Sequence, residues 1–231
     1  MLKLINQSIY YLQRLKKRGK MDLINLIKER RSICVFTGEK ISQENIEQII
    51  DAGVWAPTGC NNQELKFLVI ADDEKLQKML CFKPFFRGVS HIILIFRDMS
   101  IPLSNALYKK SKSAKNMSFI DAGLAIQNMV LQAKNDGFDS CIINLTNMHY
   151  QKNLKLNLVQ KIEKELLKLI GMHRQNRYSL AYFLHKGLKI PNYLEIQCGI
   201  VFGFGKNLPD IEKIRHGKNM IKRASLDKYL C

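Results

Sequence analysis

The chain has 231 residues, 46% of them hydrophobic and 25% charged, which is ordinary globular composition with room for one large domain or two small ones. No apolar run approaches the roughly 18 residues of a membrane span, and the longest, His91 to Phe96, has the length of a buried strand. The 37 Lys and Arg against 20 Asp and Glu leave a net charge of +17, which favours anionic partners. No RNP-like aromatic pattern or finger spacing accompanies that charge, so it reads as a solvated basic surface and not as a nucleic-acid reader.

The first twenty residues hold six basic and no acidic side chains, with Leu4, Ile5, Ile9 and Leu12 at helical spacing and no small-residue cleavage site. This extension, residues 1–20, is expected to be a helix packed on the domain or a frayed terminus. Contact with an anionic membrane surface is the lesser alternative. Met21 followed by Asp22 looks like a natural start. From Asp22 to Arg30 the repeat Leu23, Leu26, Ile27 predicts a short helix with Asp22 at its N-cap, delivering Arg30, Arg31 and Ser32 to its end.

Ser42 is placed to cap a second helix burying Ile46, Ile49, Ile50 and Val54, which stops near Ala56 because the residue before Pro57 avoids helical angles. A polar loop from Thr58 to Glu64 follows. Leu65–Ala71 and His91–Arg97 read as strands joined through a helix over about Asp73–Cys81, and so as neighbours in one sheet. Phe119–Asp136 predicts a long helix burying Leu124, Met129, Val130 and Ala133, closed by Gly137, before a short strand Ser140–Asn144. Beyond it lie helical stretches near Asn157–Ile170 and Tyr178–Lys186, a strand Leu194–Phe204 and a basic tail from Lys206. The order of elements indicates one α+β domain, residues 21–231.

Cysteines 34, 60, 81, 141, 198 and 231 form no CxxC pair and lie inside apolar segments. That argues against zinc and a disulfide framework, and for a reducing cytoplasm; no metal is expected. Gly199, Gly203 and Gly205 lack the third glycine of a dinucleotide fingerprint, since Leu208 stands there, and the P-loop pattern fails because Asn207 follows Lys206. The five histidines have no triad or metal spacing with carboxylates, and His91, opening a strand, reads as a satisfied core residue.

Two constellations carry chemistry. Arg30-Arg31-Ser32, followed by Phe36, can supply forked charge-assisted hydrogen bonds to a phosphate. Pro57-Thr58-Gly59-Cys60-Asn61-Asn62-Gln63 offers hydroxyl and amide groups able to read the edge of a planar heterocycle.

ERRSICVF and WAPTGCNNQELKFLVI, with DAGLAIQNMVLQAKNDGFDSCIIN, IPNYLEIQCGIVFGFG and the terminal Lys222-Arg223, resemble in order and spacing the FMN-dependent nitroreductase family. The resemblance covers roughly residues 21–147 and 188–228. It implies a nitroreductase-like fold, a central, mainly antiparallel mixed sheet flanked by helices, in a homodimer whose interface builds two FMN sites. Arg30, Arg31 and Ser32 would hold the phosphate and ribityl end, with Arg223 and Lys222 returning to the phosphate. Pro57, Thr58, Asn61 and Gln63 match the loop that reaches the flavin of the other subunit. Asn144 and Leu145 match the strand end whose backbone amide faces flavin N5. No side chain is nominated as catalytic, since the flavin carries the chemistry.

The implied activity is hydride transfer from NAD(P)H through FMN to a nitroaromatic, quinone or similar small acceptor. The alternatives are a specialised biosynthetic flavoenzyme of dehydrogenase or dehalogenase type, or a nonenzymatic member binding an acidic partner or membrane surface. Variable lid segments would be residues 98–118 and 148–189, with Tyr108, His149 and Tyr150 as lid contacts. Three positions depart from the family pattern: Cys34 replaces a cation, Glu64-Leu65 replace Pro-Trp, and Gly205 replaces a proline. Loss of the cation at Cys34 is expected to weaken stabilisation of the reduced, anionic flavin.

Overall fold

A computed structural model describes residues 22–81, 83–102, 113–145, 180 and 183–206, with the side chains of 113–116 outside that description. The elements in chain order are α1 (Leu23–Glu29), α2 (Gln43–Val54), β1 (Leu65–Ile70), α3 (Asp73–Leu80), β2 (His91–Asp98), α4 (Ser113–Asn135), β3 (Asp139–Ile143), a π-helical turn (Phe183–Gly187) and β4 (Leu194–Gly203). The strands form one antiparallel sheet in the order β1-β2-β4-β3. Isolated parallel bridges, Ser32 with Ser140 and Val35 with Arg87, add the mixed character.

β2 and β4 are central and covered on both faces where they run apolar without alternation, over His91–Phe96 and Gly199–Phe202. Ile93, Ile95, Ile200 and Phe202 face α2 and α4 and pack with Ile46, Ile49 and Met129. Ile92, Leu94, Phe96 and Val201 face the other way, against α3 and the turn around Phe183. The eight β2 residues are nearly inaccessible to solvent except Arg97, and each fully buried Ile or Leu contributes about 1.5–3 kcal/mol. Gly53 lets α2 lie close on α4, because a Cβ there would stand 2.8 Å from Met129 Cγ and Sδ.

The helix signals act as chemistry dictates at two N-termini. Ser42 Oγ accepts from Asn45 N at 3.3 Å and Asp72 Oδ1 accepts from Lys75 N at 2.9 Å. Gly137 sits at φ 93° just past α4. Asp22 occupies the N-cap of α1 as expected, its carbonyl rather than its carboxylate accepting from the first turn.

The buried faces also differ from expectation in part. Leu26 alone is buried on α1, while Leu23 and Ile27 are exposed; Val54 on α2 and Leu124 on α4 are exposed too. α4 begins at Ser113, six residues before the predicted Phe119, and so takes in the end of the supposed variable segment 98–118, whose first residue, Asp98, lies in β2. Cys60 and Cys81, expected inside apolar segments, are exposed. The predicted helices within 1–20 and 157–170, most of segment 148–189 and the tail from 207 lie outside the described residues. Among the described residues no helix is long and apolar enough to cross a membrane.

Candidate functional site

The stretch from Arg30 to Thr37 leaves α1 and is sewn to three neighbours. Arg30 caps the helix, its N–H donating to Leu26 O at 3.1 Å. Ile33 N donates to Ser140 O at 3.0 Å, joining the segment to β3. Phe36 N donates to Arg87 O at 2.8 Å, Thr37 N to Phe204 O at 2.9 Å and Lys206 N to Val35 O at 2.9 Å. Ile33 and Phe36 enter the core, Cys34 is half-buried, and Ser32 and Val35 stay exposed, with the Ser32 hydroxyl at the Cys141 thiol. Gly88 closes the far side at φ 64°, where a Cβ would stand 2.3 Å from Phe36 O.

The two arginines divide their work. The Arg31 guanidinium folds back on the end of α1 and donates to the carbonyls of Lys28 and Arg30, satisfying groups that the last helical turn leaves open. Arg30 is half-buried and its charge acts on the Cys141 thiol of β3. Burial, and then the neighbouring Cys34 thiol, push the Cys141 thiol up to about 11, with the Ser32 hydroxyl and the Arg30 charge pulling the other way. Arg30, Ser32 and Cys34 therefore meet around Cys141. Asn144, exposed, and Leu145, buried in the core, continue directly from the same strand.

The Pro57–Gln63 loop is built differently and is held on α4. Cys60, Asn61 and Gln63 all sit at positive φ, 54°, 54° and 52°, a conformation that costs a residue with a Cβ about 1–2 kcal/mol. Polar contacts hold it there. Gly59 N donates to both oxygens of Asp121 at 3.1 and 3.0 Å, Gln63 N donates to Thr58 Oγ1 at 3.0 Å, and Asn62 Nδ2 donates to Glu64 Oε2 at 3.0 Å. Thr58 is thereby committed within the loop, whereas Asn61 and Gln63 present exposed side chains and Pro57 is exposed beside them. The loop does not end in a solvated carboxylate, as its polar sequence implied: Glu64 is 1% exposed and Asp121 3% exposed.

Glu64 and Asp121 are the residues that sequence reasoning missed as a pair. Burial raises the Asp121 carboxyl above the usual carboxylate range, Gly59 N–H pulls it back, and Glu64 raises it again through charge and hydrogen bonding. The signal available was the Glu64-Leu65 departure at the place of a family Pro-Trp; nothing in the spacing of Asp121 announces its partner.

Other nominated residues fall elsewhere. Tyr108, His149, Tyr150, Lys222 and Arg223 lie outside the described residues. His91 is buried with Nδ1 2.8 Å from Ser90 Oγ, and burial followed by the Lys40 charge hold its pKa below the usual histidine value. Among the described residues no group of three or more His, Cys, Asp or Glu is placed to hold a metal ion.

Residues 27–82 and 76–204 match the model of the family described as Nitroreductase family. A protein of Archaeoglobus fulgidus, provisionally named NADH dehydrogenase/NAD(P)H nitroreductase, is 32% identical over 122 residues, 52% of this chain and 65% of that relative. The chain thus spans a little under two thirds of that relative's length. An FMN reductase (NAD(P)H) of Bacillus subtilis is 23% identical over 172 residues, 68% of this chain and 67% of the relative. A Desulfovibrio desulfuricans protein, provisionally described as a nitroreductase and solved in complex with FMN, superposes with a TM-score of 0.60 at 24% identity, over 92% of this chain and 96% of that one. The structural likeness shows a shared fold.

Proposed function

The chain belongs to the nitroreductase family, and from that premise we propose that it is an FMN-dependent oxidoreductase drawing electrons from NAD(P)H. The observation that carries the reading is the meeting of Arg30 and Ser32 at Ser140 and Cys141 of β3: a cation and the hydroxyl of an exposed serine beside the strand that runs on to Asn144. This donor set fits a phosphate ester, and the exposed amides of Asn61 and Gln63 fit the polar edge of a planar ring. The named relatives, an NAD(P)H nitroreductase and an FMN reductase among them, point the same way.

In this reading Arg30 and Ser32 bind the phosphate and ribityl end. Arg31, engaged with the carbonyls of Lys28 and Arg30, keeps the end of α1 shaped for that contact. Lys222 and Arg223 add charge from the tail. Thr58 fixes the loop, Asn61 and Gln63 read the ring in the other subunit's site, and the backbone at Asn144 and Leu145 lies along it. The chemistry that bound FMN supplies is hydride exchange, from NAD(P)H in one half-reaction and toward a nitroaromatic, quinone or similar acceptor in the other. Cys34 puts a thiol where the family has a cation, so support for negative charge on the ring is weaker than its relatives provide. Tyr108, His149 and Tyr150 serve as lid contacts for the acceptor.

A homodimer accompanies this reading. It is supported by exposed apolar side chains on α1, α2 and α4 and at the end of α2, among them Leu23, Ile24, Val54, Trp55, Phe119 and Ile120. A reducing cytoplasm is consistent with the free thiols of the five described cysteines. The test is the visible absorption spectrum after incubation with FMN and desalting, followed by anaerobic addition of NADH and NADPH. A retained flavin spectrum that bleaches with either nucleotide is expected. Retention without bleaching excludes NAD(P)H as the donor, and loss of the flavin on desalting overturns the FMN assignment.

A further inference from the structure

We propose that Glu64 and Asp121 share one proton across a carboxyl–carboxyl hydrogen bond, and that this proton keeps the Thr58–Gln63 loop in its left-handed shape. The two groups are almost wholly inside the protein, 1% and 3% exposed. Both grip the same loop: Asp121 accepts from Gly59 N, and Glu64 Oε2 accepts from Asn62 Nδ2. The other Glu64 oxygen, Oε1, is buried without a donor among the described residues, although a buried carboxylate oxygen ordinarily has one. A proton held between the carboxyl groups supplies that donor. It also removes the repulsion that two buried anions in contact would suffer.

No cation takes the proton's place among the described residues, where neither carboxyl group forms an ion pair. Three charged groups lie at this end of the sheet. Arg97 stands opposite Leu65 and has its Nε buried without a partner. Asp98, whose N–H donates to Glu64 O at 2.8 Å, is held below the usual carboxylate range by the Ser100 hydroxyl. Lys66 is exposed on β1, and its charge acts on Asp98. Of the charged groups, Glu64 is the one that acts on Asp121.

The direction of the pH effect follows. The Asp121 carboxyl binds its proton more tightly folded than unfolded, so the stability it confers is complete in acid. That stability is lost as pH rises past the ordinary carboxylate range and through the raised folded value. Deprotonation then sets two anions against each other beneath three left-handed residues, and the loop loosens first. This holds whether or not a cofactor occupies the protein, so it stands or falls separately from the proposed activity.

The experiment uses the full chain without added flavin. Thermal midpoints of the unmodified protein, Glu64→Gln and Asp121→Asn are compared from about pH 4 to about pH 8. Each variant keeps a hydrogen bond across the pair and leaves one ionisable carboxyl in it. The unmodified protein is expected to lose roughly 2–4 °C relative to each variant over that range. The fluorescence of Trp55, the sole tryptophan, 79% exposed and next to the loop, should change over the same pH interval in the unmodified protein only. Parallel midpoint curves overturn the proposal. A carbon-13 titration of the side-chain carboxyls in the unmodified protein decides the matter should either variant fail to fold: one carboxyl titrating above the ordinary range supports it, and two ordinary titrations sink it.

Discussion

The two segments of the candidate site are held by opposite means. The stretch Arg30–Gly38 is fixed by backbone hydrogen bonds to β3, to the turn at Arg87 and Gly88, and to the chain just past β4, with the Ser32 hydroxyl at the Cys141 thiol. Thr58–Gln63 is fixed by side chains, with Asp121, Glu64 and Thr58 holding a backbone that three residues carry at positive φ. A site built on sheet-like pairing inherits the rigidity of the core. One built on buried carboxyl groups inherits their titration.

The sharpest way to break the first segment is through its support. Asp139 opens β3 and accepts from Lys134 Nζ at 3.1 Å, the two side chains only 2% and 5% exposed, and from Gly205 N at 3.2 Å. Asp139→Ala removes this buried ion pair together with the Gly205 contact and is expected to cost about 3–5 kcal/mol, measured by urea unfolding. Gly88→Ala should cost about 3 kcal/mol in the same assay, combining an overpacked contact with the Phe36 carbonyl and an unfavourable φ. Neither change touches the second segment, so the pH response assigned to Glu64 and Asp121 should persist in whichever variant stays folded.

Two smaller effects sharpen the contrast. Arg30→Ala is expected to weaken FMN binding by more than about tenfold, since a charge-assisted phosphate contact of about 1.5–3 kcal/mol is lost; unchanged affinity by fluorescence titration removes Arg30 from the phosphate site. Thiol alkylation compares the segments directly. With Cys141 pushed up to about 11 and Cys198 to about 12, both stay protonated near pH 8, whereas Cys60 is exposed on the loop. Peptide mapping should find Cys60 alkylated well before Cys141 and Cys198, and early labelling of Cys141 contradicts the closed packing of the first segment.

Much of this architecture was legible because burial on two faces writes itself as uninterrupted apolar sequence. HIILIF became β2, GIVFG the second half of β4, and Ser42 marked the start of α2 through its own hydroxyl. The first turns of α4 were hidden because Ser-Ala-Lys-Asn-Met-Ser offers no apolar repeat. Leu23, Ile27, Val54 and Leu124 kept helical periodicity yet stay exposed in a single copy, since periodicity reports which face is apolar and not what covers it. Arg30 and Arg31 were indistinguishable as letters; the carbonyls at the end of α1 chose between them. Glu64 and Asp121 are 57 positions apart, and no local pattern joins residues that only the approach of a loop to a helix brings together.

The bridge between Ser32 and Ser140 has a consequence for how copies of this chain avoid one another. β3 ends the strand order, five residues long, with Ile142 exposed beside Ser140. A bare edge of that kind is a template on which a foreign strand can add. The Ser32 segment lies across it and takes the main-chain acceptor at Ser140. Changes that unseat this segment therefore uncover a sticking point for edge-to-edge aggregation, and such variants should precipitate at concentrations where equally destabilised variants elsewhere in the molecule remain in solution.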